Sequence, residues 1–167
     1  DAAKWTVELL DPHVKVVSPE ELLAHLTQHL QGVTTPPKGP TLVFEAESDL
    51  SHQMGYADGE GWACNTADQA PGHMCYGPYT TDVAAGNHTA TYRMMLDVVA
   101  PPASNDKVVT LDVFDASAGS ILAVKDVYRY DFQSPLTMQD IPLEFVSGPG
   151  SKLEFRVFWH GTSYVNV

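Results

Sequence analysis

Apolar and polar residues alternate with a period of two over most of the second half of the chain. Between His88 and Val98, residues Ala90, Tyr92, Met94, Leu96 and Val98 fall on one side, and Thr89, Thr91, Arg93 and Asp97 on the other. This is the pattern of a strand with one face in a core. The same alternation groups Val109, Leu111 and Val113 within Lys107–Ala116, and Ile141, Leu143 and Phe145 within Met138–Val146. In Ser151–Trp159 it turns Leu153, Phe155, Val157 and Trp159 inward. Thr41–Glu47 reads as a first strand, with Leu42, Phe44 and Ala46 on one face, and Pro78–Val83, Ile121–Tyr128 and Ser163–Val167 read as further strands. Turn-forming clusters separate them: Ala84-Ala85-Gly86-Asn87, Ala100-Pro101-Pro102, Ser117–Gly119, Ser147–Gly150 and Gly161-Thr162. Residues 48–77 read as a long irregular stretch. Seven or eight strands at such spacing predict an all-β protein, an antiparallel β-sandwich.

Residues 1–33 follow a different pattern. Val14–Val17 reads as a short strand. Ser18 is placed as a helix N-cap, Pro19 at the first helical position and Glu21 as the partner in a capping box. Leu22, Leu23, Leu26 and Leu30 follow at helical spacing, and Gly32 suits the C-terminal end. A lone strand and helix cannot bury both of their apolar sides, so this segment is expected to dock on something else. Residues 34–40, Thr-Thr-Pro-Pro-Lys-Gly-Pro, predict a stiff extended linker. The expected organisation is a strand–helix segment over 1–33, a linker over 34–40 and the sandwich over 41–167.

Composition narrows the function. Nine Lys and Arg stand against 21 Asp and Glu, a formal charge of −12. Such a surface repels phosphate backbones and anionic lipid, and the basic residues form no cluster, so neither nucleic acid nor a membrane surface is an expected partner. No window approaches the ~20 apolar residues of a membrane span. Neutral or cationic partners and divalent metals stay open. Cys64 and Cys75 lie in a polar, Gly-rich stretch and read as a loop-closing disulfide worth about 2–3 kcal/mol, with free thiols as the alternative. Their spacing does not match a zinc site.

The order of several segments resembles the carbohydrate-binding modules of families 6, 35 and 36. The resemblance rests on Val43-Phe44-Glu45-Ala46-Glu47 opening the sandwich, on Gly77-Pro78-Tyr79-Thr80, on Ala85-Gly86-Asn87-His88-Thr89-Ala90-Thr91-Tyr92-Arg93, and on the closing Tyr164-Val165-Asn166-Val167. It covers residues 41–167. It implies a non-catalytic jelly-roll sandwich with a structural calcium near the first strand, binding oligo- or polysaccharide. It further implies a secreted, monomeric module attached to a catalytic domain, of which residues 1–33 would be the last piece.

Particular residues carry these expectations. On a strand, Glu45 and Glu47 share a face with Cα atoms about 7 Å apart, where a cation between them would offset the repulsion. Calcium takes carboxylate and carbonyl oxygens, so these two are its expected ligands. The stretch 54–79 holds Tyr56, Trp62, His73, Tyr76 and Tyr79 among glycines, and sugars stack their C–H faces on such rings. Core packing is the competing reading for each ring. By position in the resemblance, Tyr76 or Tyr79, Trp159 and Asn166 match the family's binding cleft, and Trp62 joins them from the aromatic loop. His73, His88 and His160 sit at no metal-binding spacing and read as surface or loop histidines. The alternatives kept are a small glycan-active hydrolase or lyase using paired carboxylates, and a structural module that packs on the catalytic domain without binding free glycan.

Overall fold

The computed structural model describes residues 41–67, 70–98 and 106–167. The strand–helix segment and the linker expected over 1–40 lie outside them. The chain divides into two units, Asp1–Leu42 and Val43–Val167, and the architecture below belongs to the second.

Among the described residues, ten strands form two sheets in which every pairing is antiparallel. They are β1 (Tyr56–Ala57), β2 (Trp62–Cys64), β3 (Gly72–Cys75), β4 (Pro78–Thr80), β5 (Gly86–Leu96), β6 (Lys107–Asp115), β7 (Ser120–Tyr128), β8 (Gln139–Ser147), β9 (Leu153–Trp159) and β10 (Val165–Asn166). The first sheet runs β1-β2-β10-β5-β8 and the second β3-β9-β6-β7, with β4 also on β9. The expected all-β architecture with two antiparallel sheets is therefore present.

The alternating segments form the strands that the period-two pattern predicts. On β5, Tyr92, Met94 and Leu96 are buried, while Val98 past its end is exposed. On β8, Ile141, Leu143 and Phe145 are buried and Asp140, Pro142, Glu144 and Val146 are exposed. Pro142 is tolerated because β8 is an edge strand and gives up no ladder bond to a further neighbour. Its carbonyl accepts instead from Lys125 Nζ of β7, at 3.1 Å. The central pair of the second sheet is β6 with β9. Its inward pairs are Val109 with Trp159, Leu111 with Val157 and Val113 with Phe155. Tyr92 crosses between the sheets, its hydroxyl donating to the Asp112 carbonyl at 2.7 Å.

Two segments depart from the sequence reading. Thr41–Glu47 is not a strand: residues 41–45 are irregular and 46–49 form a turn. The Asp49 N–H donates to the Glu45 carbonyl at 2.9 Å, and the Asp49 carboxylate accepts from the Glu45 N–H at 2.8 Å. A local turn thus takes the backbone groups that a ladder would have used. The stretch 48–77 is less irregular than expected, since it contains β1, β2 and β3 and a bridge between Ser51 and Tyr76.

Candidate functional site

Of the five expected sugar-binding residues, Trp62 and Asn166 lie on β2 and β10 in the first sheet. Tyr79 and Trp159 lie on β4 and β9 in the second, and Tyr76 lies between β3 and β4. They do not form one cleft. Trp159 is fully buried, and its indole N–H donates to the Ser163 carbonyl at 2.8 Å. It is a core residue, because its place in the β9 alternation points it inward, and it offers no face to a ligand. Asn166 is also buried. Its amide donates to the Asp58 carbonyl at 3.0 Å and the Tyr164 hydroxyl at 3.3 Å, and that hydroxyl donates to Asp58 Oδ2 at 2.8 Å. Asn166 therefore closes the 58–61 turn. Gly61 leaves the room, since a Cβ there would collide with the Asn166 side chain.

Trp62 is half-buried. His52 stacks on it with ring centroids 3.6 Å apart, and its indole N–H donates to the Met54 carbonyl at 2.7 Å. Gly55, at φ +101°, sits against the indole where a Cβ would clash. This ring is wedged into its own loop.

Tyr79 is different. Its backbone lies in the left-handed region at φ +67°, a costly conformation for a residue with a Cβ, and its ring is 40% exposed. Lys152 Nζ stands 5.4 Å from the ring centroid. Its hydroxyl has a raised pKa, through partial desolvation first and then the charge and hydrogen bond of Glu154, with Tyr76 adding to it. Tyr76 is fixed by reciprocal backbone bonds with Ser51, at 2.8 and 2.9 Å.

Glu154 leads onto the outward face of the second sheet. Alternation places Thr110, Asp112 and Phe114 of β6 directly opposite Phe158, Arg156 and Glu154 of β9. His73 of β3 flanks Phe158, and Asp126 of β7 flanks Thr110. Asp112 and Glu154 are 5% and 7% exposed, which is unusual for carboxylates on a sheet's outer side. Arg156 Nε donates to Asp112 Oδ1 at 2.7 Å, and its guanidinium lies 4.3 Å from the Phe114 ring centroid. Among the described residues only Nε of that guanidinium has a hydrogen-bond partner. His73 has a lowered pKa, through burial first and the Arg156 charge second, opposed by Asp112 and Glu154. It is neutral at pH 7. The cluster thus combines an exposed phenol, a carboxylate, a guanidinium and an imidazole. Groups of these types can both donate and accept hydrogen bonds.

The sequence reading missed Asp112, Glu154 and Arg156. Each is a charged residue flanked by apolar ones on its strand, and only the pairing of β6 with β9 brings them together. The carboxylate pair shows one feature of its own. Glu45 is exposed, whereas Glu47 Oε2 is buried with no hydrogen-bond partner. The shared strand face expected for the two is absent, because this segment turns. Cys64 and Cys75 are fully buried on β2 and β3, in different sheets, and carry free thiols. Burial pushes Cys64 up to about 11 and Cys75 up to about 12, the latter also through Cys64 and Glu47.

Comparison of the chain with protein-family models, with curated proteins and with solved structures finds no match.

Proposed function

We propose that the sandwich is a non-catalytic glycan-binding module of the jelly-roll type, with its site at Tyr79, Tyr76, Glu154, Arg156, Asp112 and His73. The observation that carries this reading is Tyr79: an aromatic residue held at φ +67° with its ring exposed beside a buried carboxylate. Strain of about 1–3 kcal/mol persists only where the surroundings impose it, and it collects at functional sites. The strand orders β2-β10-β5-β8 and β3-β9-β6-β7 support the jelly roll, being those of two interlocked four-stranded Greek keys. Secretion as part of a larger carbohydrate-active enzyme belongs to the same reading.

Calcium at Glu45 and Glu47 is proposed with it. A buried carboxylate oxygen without a donor, as at Glu47, is a place where a cation would offset the desolvation. Among the described residues no group of three acid, His or Cys side chains gathers, so backbone carbonyls would complete such a shell. A disulfide between Cys64 and Cys75, which are free thiols here, would join β2 of the first sheet to β3 of the second.

The test is a glycan array probed with the protein and with Tyr79→Gly. Glycine suits the left-handed backbone, so this variant is expected to keep or raise the melting temperature while binding falls at least tenfold. Binding that survives the substitution overturns the site. Cleavage of a bound oligosaccharide would replace the reading with that of a glycan-cleaving enzyme.

A further inference from the structure

The first sheet ends at the edge strand β8, whose outward side chains are Asp140, Pro142, Glu144 and Val146. An unpaired edge invites pairing with other chains, and charged residues and proline along it hold them off. Asp140, Pro142 and Glu144 are residues of that kind. Val146 is not, being apolar and 61% exposed. The edge is guarded at three successive outward positions and bare at the next.

The neighbouring strand β5 sets Arg93, Thr91, Thr89 and Asn87 opposite these residues, in that order. All of them are exposed. Asn87 therefore lies directly across from Val146. Asn87-His88-Thr89 is an Asn-X-Thr triplet, the acceptor sequence for asparagine-linked glycans, and no other Asn-X-Ser or Asn-X-Thr triplet occurs in the chain. The strand gives this triplet the exposure that an acceptor needs. Alternation puts Asn87 and Thr89 on the solvent side and turns His88 the other way. The His88 Nε2 donates to the Ala84 carbonyl at 2.7 Å, and its ring stands 5.3 Å from that of Phe145. Beside Asn87, a Cβ on Gly86 would meet no atom within 4 Å, so the space next to the acceptor is open.

We propose that Asn87 is a site of asparagine-linked glycosylation, and that the attached glycan supplies the guard that β8 lacks at Val146. In the attachment the Asn87 carboxamide nitrogen loses a proton and bonds to the anomeric carbon of a lipid-diphosphate-linked oligosaccharide. The bond from that carbon to the diphosphate oxygen breaks, and the lipid diphosphate leaves. The donor and its transferase belong to a secretory route, so the inference rests on the secretion in the reading above and not on the sugar site. Asn87 is on the first sheet and Tyr79 on the second, which makes attachment and sugar binding separable.

The experiment is secretion of the full chain by eukaryotic cells behind a signal peptide, followed by mass analysis before and after peptide-N-glycosidase. One glycan at Asn87 is expected. Asn87→Gln and Thr89→Ala should abolish it, and Thr89→Ser should keep it. An unmodified Asn87 in the secreted protein overturns the site. Light scattering of the concentrated protein then tests the guard. The rate of aggregation is expected to rise at least threefold in both Asn87→Gln and Thr89→Ala, and to return to within a factor of two of the glycosylated protein when Val146→Lys is added to Asn87→Gln. A glycan whose loss leaves the rate unchanged, or a rate indifferent to Val146→Lys, overturns the guarding role. An array without any bound sugar overturns the Tyr79 site and leaves Asn87 standing.

Discussion

At the scale of single residues, burial separates the side chains that hold the fold from those that face a partner. Trp159 belongs to the first kind. Trp159→Ala is expected to cost about 3–5 kcal/mol, from lost transfer energy and the cavity left between the sheets. A denaturant titration measures it. A loss below 1 kcal/mol would contradict its place in the core. Asp115 makes a second case. Its carboxylate accepts from the Ser117 hydroxyl at 2.5 Å, the Ser117 N–H at 2.9 Å and the Lys152 N–H at 3.2 Å. These bonds, the Ser117 hydroxyl foremost, hold its pKa well below the ordinary carboxylate range. A depressed pKa gives stability that is present above the unfolded value of about 3.9 and lost as the pH falls toward the folded one. Thermal scans between pH 5 and about 2 are therefore expected to show a steeper loss in the parent protein than in Asp115→Asn. Equal slopes would remove Asp115 from the account.

At the scale of elements, β6 and β9 perform two tasks on opposite faces. Val109, Leu111 and Val113 fill the core, while Thr110, Asp112 and Phe114 lie on the outward face. Asp112 and Arg156 are cross-strand partners with side-chain exposures of 8% and 19%. Arg156→Met leaves the Asp112 charge buried alone. Allowing for the partial exposure of the arginine, the cost is expected to be about 2 kcal/mol. Adding Asp112→Leu should restore most of it. A double variant no more stable than the single one would show that the pair adds nothing to the local packing. The strands β5 to β9 were legible in the sequence because each is long enough for the alternation to repeat several times. β1, β2 and β3 were not, being two to four residues long among glycines and a bulge. Thr41–Glu47 alternates as a strand would, yet Asp49 turns it back on itself, and a pattern of three apolar residues does not outweigh such a cap. For Trp159, periodicity and family position disagreed, and periodicity described its place. The candidate site was half legible. Tyr76 and Tyr79 stood out as aromatics in a turn-rich stretch. Asp112, Glu154 and Arg156 did not, because their meaning depends on which strands lie side by side.

At the scale of the whole molecule, the charge of −12 acts against compactness. Salt that shortens the Debye length to about 8 Å screens this repulsion. The melting temperature is expected to rise by a few degrees between low and physiological ionic strength, as calorimetric scans would show. A fall would mean that specific ion pairs outweigh the general repulsion. If calcium is held at Glu47, chelation should lower the melting temperature and added calcium restore it, since a ligand of the folded state alone stabilises by mass action. An unchanged value with chelator would overturn calcium at Glu47.

β10 lies between β2 and β5 and joins the two halves of the first sheet. Val165 pairs with Cys64 on one side and Leu96 on the other. During synthesis, β2 and β5 leave the ribosome long before this bridging strand exists. Until residues 165–166 emerge, the nascent chain holds an open seam of unpaired backbone along both strands. Such a seam is a place for chaperones to bind and for neighbouring chains to pair wrongly. The last strand of the sandwich to be made is the one that closes it, so folding of this module waits for β10 and is not governed by its first strands.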